Sequence, residues 1–191
     1  MTTRRHTSPW TSVLSFALPA VAVLMGCLFG LGAVGLFDLD EGLYATASRQ
    51  MVESGDWLVP RVGTATFFDK PPLTYWLQAL VMQLFGFTPV AARLPSAFAA
   101  ALTALVLWWW AKRRGAAQVG WLAMLIYPLC PLTMGLARQA IMDSLLTLWF
   151  TLAVVGWIEG YTRDRRWYLL TAAGAGLATM TKGLIGLILP G

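Results

Sequence analysis

Charge is scarce in this sequence: only 12% of its 191 residues are Asp, Glu, Lys or Arg. A soluble domain carries about 25%, so an ordinary water-soluble enzyme is excluded. Disorder needs low hydrophobicity, and 58% of this chain is hydrophobic. Two cysteines cannot build a disulfide scaffold; Cys27 and Cys130 both lie in apolar runs and read as buried small hydrophobes. The one histidine, His6, makes no zinc site by itself. A net charge of +5, dispersed between apolar segments, is too sparse for a nucleic-acid surface. Internal repeats and low-complexity tracts are also absent. What remains is the pattern of an all-α integral membrane protein.

Charge-free runs place about five transmembrane helices, near 12–37, 94–111, 116–137, 140–159 and 168–189, each close to the 20 or so apolar residues that a span needs. The first run follows Arg4-Arg5 but is too long for a cleaved signal and reads as an uncleaved anchor. Gly26 and Gly30 within it fit close helix packing. The run Leu73–Ala92 is charge-free but holds Gln78, Gln83, Gly86, Thr88 and Pro89, and parity decides its status. If its helix, 73–87, lies flat, eight cations (Arg4, Arg5, Lys112, Arg113, Arg114, Arg163, Arg165, Arg166) face one side and five (Arg49, Arg61, Lys70, Arg93, Arg138) the other. If it crosses, the count becomes four against nine. The positive-inside rule selects the flat arrangement, with a cytoplasmic N-terminus and residues 38–92 as one extracytoplasmic loop.

That loop has its own order. Asp40 stands where a helix N-cap would, with Glu41 in the first turn. Leu43, Tyr44, Ala47, Met51 and Val52 recur at helical spacing, Ser48, Arg49 and Glu53 lie on other faces, and Gly55 is a stop. This predicts an amphipathic interfacial helix. Residues 56–66 read as loop or short extended structure, and Asp69-Lys70-Pro71-Pro72 leads into a second interfacial helix. Trp108-Trp109-Trp110 before Lys112 reads as an aromatic belt on the inner side. The run to Leu189-Pro190-Gly191 predicts that 1–191 is the N-terminal part of a longer protein.

The orientation gathers the chemistry on one face. Asp40, Glu41, Asp69, Lys70, Arg138 and Asp143 fall at the outer interface, and Lys182 in the outer half of its span. Ionisable groups inside spans, here Asp143 and Lys182, are costly and point to function; a structural pair is the plain alternative. A helix cap is the plain alternative for Asp40, and a loop anchor for Lys70. Together such groups suit a base that takes a proton from an attacking hydroxyl or amine, beside cations that stabilise a departing phosphate. The residue pattern alone also allows a non-catalytic membrane transporter or lipid-binding subunit.

Four blocks narrow this reading. Phe37-Asp-Leu-Asp-Glu-Gly-Leu-Tyr44-Ala resembles the first outer loop of the GT-C membrane glycosyltransferases, in the branch of protein O-mannosyltransferases and the lipid A aminoarabinose transferase. Phe67-Phe-Asp-Lys-Pro-Pro-Leu-Thr-Tyr-Trp76, Ala137-Arg-Gln-Ala-Ile-Met-Asp143-Ser and Thr179-Met-Thr-Lys-Gly183 are similar to the next three blocks of that family, in order. The resemblance implies a membrane enzyme that moves a sugar from a polyprenyl-phosphate donor to a lipid, glycan or protein acceptor at the extracytoplasmic face. It implies Asp40 as catalytic base and Asp143 as a second catalytic acid. Glu41, Tyr44, Lys70, Arg138 and Lys182 would bind substrate, Lys70 through the donor phosphate. No cofactor is named by the sequence; the resemblance leaves a divalent metal open at Asp69, where the aminoarabinose branch often has Glu and supplies histidines from later segments. That branch also often has arginine before the motif tyrosine, where this chain has Leu43.

Overall fold

The computed structural model describes residues 20–37 and 39–188, Leu187 by its backbone alone. The stretch 12–19 of the expected first span lies outside the described residues, as do Arg4, Arg5 and His6. Helix α1 covers 20–28, α2 Leu39–Ser54, α3 Leu73–Phe85, α4 Pro89–Arg113, α5 Ala117–Leu129, α6 Pro131–Ala137, α7 Asp143–Thr162, α8 Tyr168–Lys182 and α9 Ile185–Ile188. A two-residue hairpin pair, β1 (Arg61–Val62) and β2 (Ala65–Thr66), is antiparallel with Arg61 opposite Thr66. The all-α membrane architecture is as expected.

The boundaries differ from the expected spans in instructive ways. α4 starts five residues early, because Thr88 caps it (Oγ1 accepts from Ala91 N at 3.1 Å) and Pro89 opens it. The run expected at 116–137 is broken: α5 and α6 meet at 65°. Cys130 precedes Pro131 and is driven out of the helical region, to φ −59° and ψ 126°. Cys130 is also exposed rather than buried, whereas Cys27 is buried as expected. α7 extends to Thr162, which brings Glu159 inside the helix. The last run stops at Lys182, where Gly183 turns the chain with φ +76°. Among the described residues, α4 and α7 are long and apolar enough to span a membrane, and α5–α6 is a third candidate if the bent pair is one span. α3, at 13 residues, is about 20 Å long and too short to cross alone.

Packing follows membrane logic, with small residues inside and large ones outside. Ala97, Ala100, Ala101 and Ala104 of α4 are at most 2% exposed, while Leu132, Leu169 and Ile188 are 70% or more exposed. Small residues let backbones approach closely where no water-driven force separates core from lipid. α7 approaches α8 closely: a Cβ on Gly156 would stand 2.6 Å from Thr171 N, and one on Gly174 2.7 Å from Trp149 O. The expected packing role of Gly26 and Gly30 does not hold. Among the described residues a Cβ at either meets nothing within 4 Å, and Gly30 (φ +78°) lies in the turn that follows α1.

α2 begins one residue before Asp40, so Asp40 sits in the first turn rather than at the cap. Its buried face is Glu41, Tyr44, Ala45, Ala47, Ser48 and Met51; Ser48 therefore faces inward, contrary to the simple stripe. The reason is a polar bridge: Ser48 Oγ donates to Gln78 Oε1 at 2.8 Å, and Gln78 Nε2 donates to Ala140 O at 2.9 Å. Beside it lies a buried ion pair. Arg93 Nε and Nη2 donate to Glu41 Oε1 and Oε2 at 2.7 and 2.8 Å, with side chains 3% and 1% exposed. Arg93 also donates to the carbonyls of Leu31, Val34 and Gly35, and Glu41 accepts from the N–H groups of Phe37 and Ala140. One bidentate pair thus ties the chain after α1, the start of α2, α4 and residue 140.

Burial pushes the Glu41 carboxyl up, but the hydrogen bonds from Arg93, Phe37 and Ala140 outweigh it, so its pKa lies below the ordinary value. A lowered folded-state pKa gives stability that is complete above the unfolded pKa of about 4.3 and is lost as pH falls through the lowered value. Glu41→Gln leaves the Arg93 guanidinium buried without a counter-charge, at a cost of about 3–5 kcal/mol. Thermal unfolding of the full-length protein in detergent should show a lower midpoint for Glu41→Gln at neutral pH, and a gap to wild type that narrows on acidification below pH 4. Parallel curves at every pH would contradict the ion-pair account.

Candidate active site

Neighbours on a helix point about 100° apart, so Asp40 and Glu41 cannot face the same way. Glu41 turns inward to Arg93, and Asp40 and Tyr44, one turn apart, share the face that looks into a cavity. Asp40 is exposed, and among the described residues its carboxylate has no hydrogen-bond or ion-pair partner.

The turn before α3 supplies the next two groups. Tyr44 packs at a tilt against Phe67 and Tyr75, with ring centroids 6.1 and 5.9 Å away, and its hydroxyl donates to Asp69 Oδ2 at 3.1 Å. The same oxygen meets Lys70 Nζ at 3.1 Å, both side chains remaining partly exposed. Burial and the bond to Asp69 hold the Tyr44 phenol well above its usual pKa, so it stays a neutral donor. The aromatic trio therefore fixes the height of the Asp69-Lys70 turn over α2.

The third pair comes from the antiparallel α7 and α8. Asp143 occupies the first turn of α7 and Lys182 the last turn of α8, so each complements the dipole of its own helix. Their side chains meet at 2.5 Å, Lys182 Nζ donating to Asp143 Oδ1.

These groups surround one cavity of about 400 Å³, lined by Asp40, Tyr44, Asp69, Lys70, Ile141, Met142, Asp143 and Lys182. Six of the eight residues expected from the sequence converge here. The other two stand apart: Glu41 is in the buried pair, and Arg138 donates to the carbonyls of Phe29 and Gly26, holding the end of α1. Arg93 was missed as a partner of Glu41. Its signal was available, because a cation among Ala91, Ala92 and Leu94 near a helix start is misplaced unless a carboxylate meets it. Three carboxylates face two ammonium groups across the cavity, and Asp40 is the acid left over. Among the described residues no three His, Cys, Asp or Glu side chains stand close enough to hold a metal. Asp69, the residue the resemblance offers to one, meets Lys70 and the Tyr44 hydroxyl.

An apolar groove of about 420 Å³ opens from the same elements, lined by Leu73 and Leu77 of α3, Phe98 and Leu102 of α4, Leu145 and Leu148 of α7, and Leu177 of α8, among others. Leu73 follows Lys70 by three residues, and Leu145 follows Asp143 by two. A polar chamber and an apolar groove on shared elements suit a ligand with a charged head and a hydrocarbon tail.

Comparison with known proteins agrees. Residues 69–191 match the family described as dolichyl-phosphate-mannose-protein mannosyltransferase. The chain is 37% identical over 185 residues to the undecaprenyl phosphate-alpha-4-amino-4-deoxy-L-arabinose arabinosyl transferase of Aeromonas salmonicida, covering 92% of this chain and 33% of that one. It is 37% identical over 163 residues to a second such transferase from Sodalis glossinidius, covering 81% and 29%. The crystal structure of ArnT from Cupriavidus metallidurans in the apo state superposes with a TM-score of 0.86 at 28% identity, covering 96% of this chain and 35% of that one. The same protein bound to undecaprenyl phosphate gives 0.84 at 29% identity. The chain thus spans about a third of the length of these relatives.

Proposed function

This chain belongs to the dolichyl-phosphate-mannose-protein mannosyltransferase family, and we propose that the protein containing it transfers a sugar from a polyprenyl-phosphate donor to an acceptor at the extracytoplasmic face of the membrane. Asp40 carries the reading. It is the one acid of the cavity without a partner among the described residues, which leaves both its oxygens free to accept a proton. Asp40 takes the proton of the acceptor hydroxyl while that oxygen bonds to the anomeric carbon. The bond from that carbon to the phosphate oxygen breaks, and the lipid phosphate leaves with the electron pair. Lys70, partly exposed, turns from Asp69 to meet the growing charge. Asp143 keeps Oδ1 on Lys182 and offers Oδ2 to the hydroxyls of the sugar. The apolar groove takes the start of the polyprenyl chain. The names of the relatives make undecaprenyl-phosphate 4-amino-4-deoxy-L-arabinose the first donor to assay, with lipid, glycan and protein acceptors in turn. A transporter or lipid-binding subunit would use the lysines and the groove but has no need of an unpaired Asp40.

Asp40→Asn removes the proton acceptor and disturbs no bond of the described fold. Transfer by the full-length protein at saturating donor should fall about 10²–10⁴-fold with the unfolding midpoint unchanged; near-normal transfer would reject the base assignment.

The cation asymmetry supports the facing of the site. The turn after α4 and the turn after α7 share one end of the bundle, since Arg163 Nη2 donates to Arg113 O at 3.2 Å. Cysteines at Gly63 and Gly115 should therefore react with a membrane-impermeant label from opposite faces, Gly63 from outside. Labelling of both from one face would overturn this orientation.

A further inference from the structure

The end of the bundle remote from the cavity carries a second charged cluster that sugar transfer does not use. Asp143 and Glu159 lie sixteen residues apart on α7, about 24 Å along its axis. Glu159 is fully buried, accepts from Trp110 Nε1 at 2.9 Å, and pairs with Arg114 at 3.1 Å and Arg163 at 3.4 Å. Arg114 Nη2 also donates to Thr162 Oγ1 at 3.1 Å, so the turns after α4 and α7 are locked together. Arg113 lies between two indoles, 5.1 Å from the Trp109 centroid and 5.2 Å from that of Trp167, and Lys112 lies 4.9 Å from the Trp108 ring.

Charge does not balance at this end. Among the described residues, Lys112, Arg113, Arg114, Arg163, Arg165 and Arg166 face only two acids, Glu159 and Asp164. Glu159 is consumed by Arg114 and Arg163. Asp164 spends Oδ1 on the backbone N–H of Arg166 at 2.9 Å and forms no ion pair among the described residues. Arg165 and Arg166 are exposed, and their guanidinium groups have no partner among the described residues. They also occupy the opening turn of the helical run that leads into α8, where the helix dipole disfavours cations. The electrostatics of the described residues therefore argue against both arginines, which have no counter-charge among them, and an anion from outside would supply one. The indoles beside them favour the head-group layer of a bilayer, and the patch sits at the ends of the apolar helices α4 and α7.

We propose that this end of the bundle binds the head group of an anionic phospholipid. Arg165 and Arg166 take its phosphodiester, Lys112 stands beside them, and the Glu159 and indole contacts hold the rim in shape. The proposal does not depend on the sugar-transfer reading. It is tested on the full-length protein, purified in detergent, by native mass spectrometry of retained phosphatidylglycerol and phosphatidylcholine and by titration with each. Phosphatidylglycerol should bind preferentially and weaken as salt rises. Arg165→Gln/Arg166→Gln should bind it about 30-fold less tightly, at an unfolding midpoint and transfer rate equal to wild type, and Arg165→Lys/Arg166→Lys should restore most of the affinity. Should the glutamine variant fail to fold, the salt dependence and head-group preference of wild type decide. Equal binding of both lipids would overturn the proposal and assign the patch to an acidic protein. Full displacement by millimolar inorganic phosphate would overturn it in favour of a free-anion site, and unchanged affinity in the glutamine variant would overturn it outright.

Discussion

The buried pair of Glu41 and Arg93 is the constraint on which the rest of the site depends. Removing two charges from water is costly, and the attraction between them offsets that cost only when the remaining hydrogen-bonding capacity is also met. Here it is met by three backbone carbonyls on the arginine and two backbone N–H groups on the glutamate. Those groups come from the chain after α1 and from residue 140, so the electrostatics can be satisfied only if the segments converge. Asp40 is the residue before Glu41, and Ile141, Met142 and Asp143 follow Ala140. The ion pair thereby sets the distance between Asp40 and the opposite wall of the cavity.

Within the cavity each lysine has an acid of its own. Lys70 rests on Asp69, Lys182 on Asp143, and Asp40 is unpaired among the described residues. This pairing divides the labour. Each lysine is held in place by its own acid at the edge of the cavity, while the Asp40 carboxylate has no such contact among the described residues. Lys182 and Asp143 are the more firmly placed pair, since both helix dipoles favour them. Asp69 has the weaker tie, through the Tyr44 hydroxyl and a partly exposed ion pair, so Lys70 is the cation more able to change partners.

Much of this was readable from residue order, and the failures have physical causes. The helix at Leu39–Ser54, the short α3 and the gathering of Asp40, Tyr44, Asp69, Lys70, Asp143 and Lys182 followed from periodicity, charge placement and the family blocks. Glu41 was expected to face substrate because it adjoins Asp40, but a helix separates neighbours by about 100° and only one could do so. Arg138 was expected there too, and it caps α1 from a turn whose direction no periodicity encodes. The unbroken span through Cys130 ignored Pro131, whose ring disfavours a helical residue before it, and Cys130 leaves the helical region there although the residues before Pro95 and Pro128 do not. Arg93 and Glu159 escaped because a buried ion pair joins residues far apart in sequence, and only the fold shows which carboxylate meets which cation.

The division of labour in the cavity is tested most directly by the affinity of the full-length protein for a polyprenyl-phosphate sugar in Lys70 variants. Lys70→Ala should bind the donor at least tenfold more weakly, and Lys70→Arg should recover part of the loss because the charge survives in a different shape. Donor affinity unchanged in Lys70→Ala would contradict the account, leaving this lysine as no more than the counter-ion of Asp69.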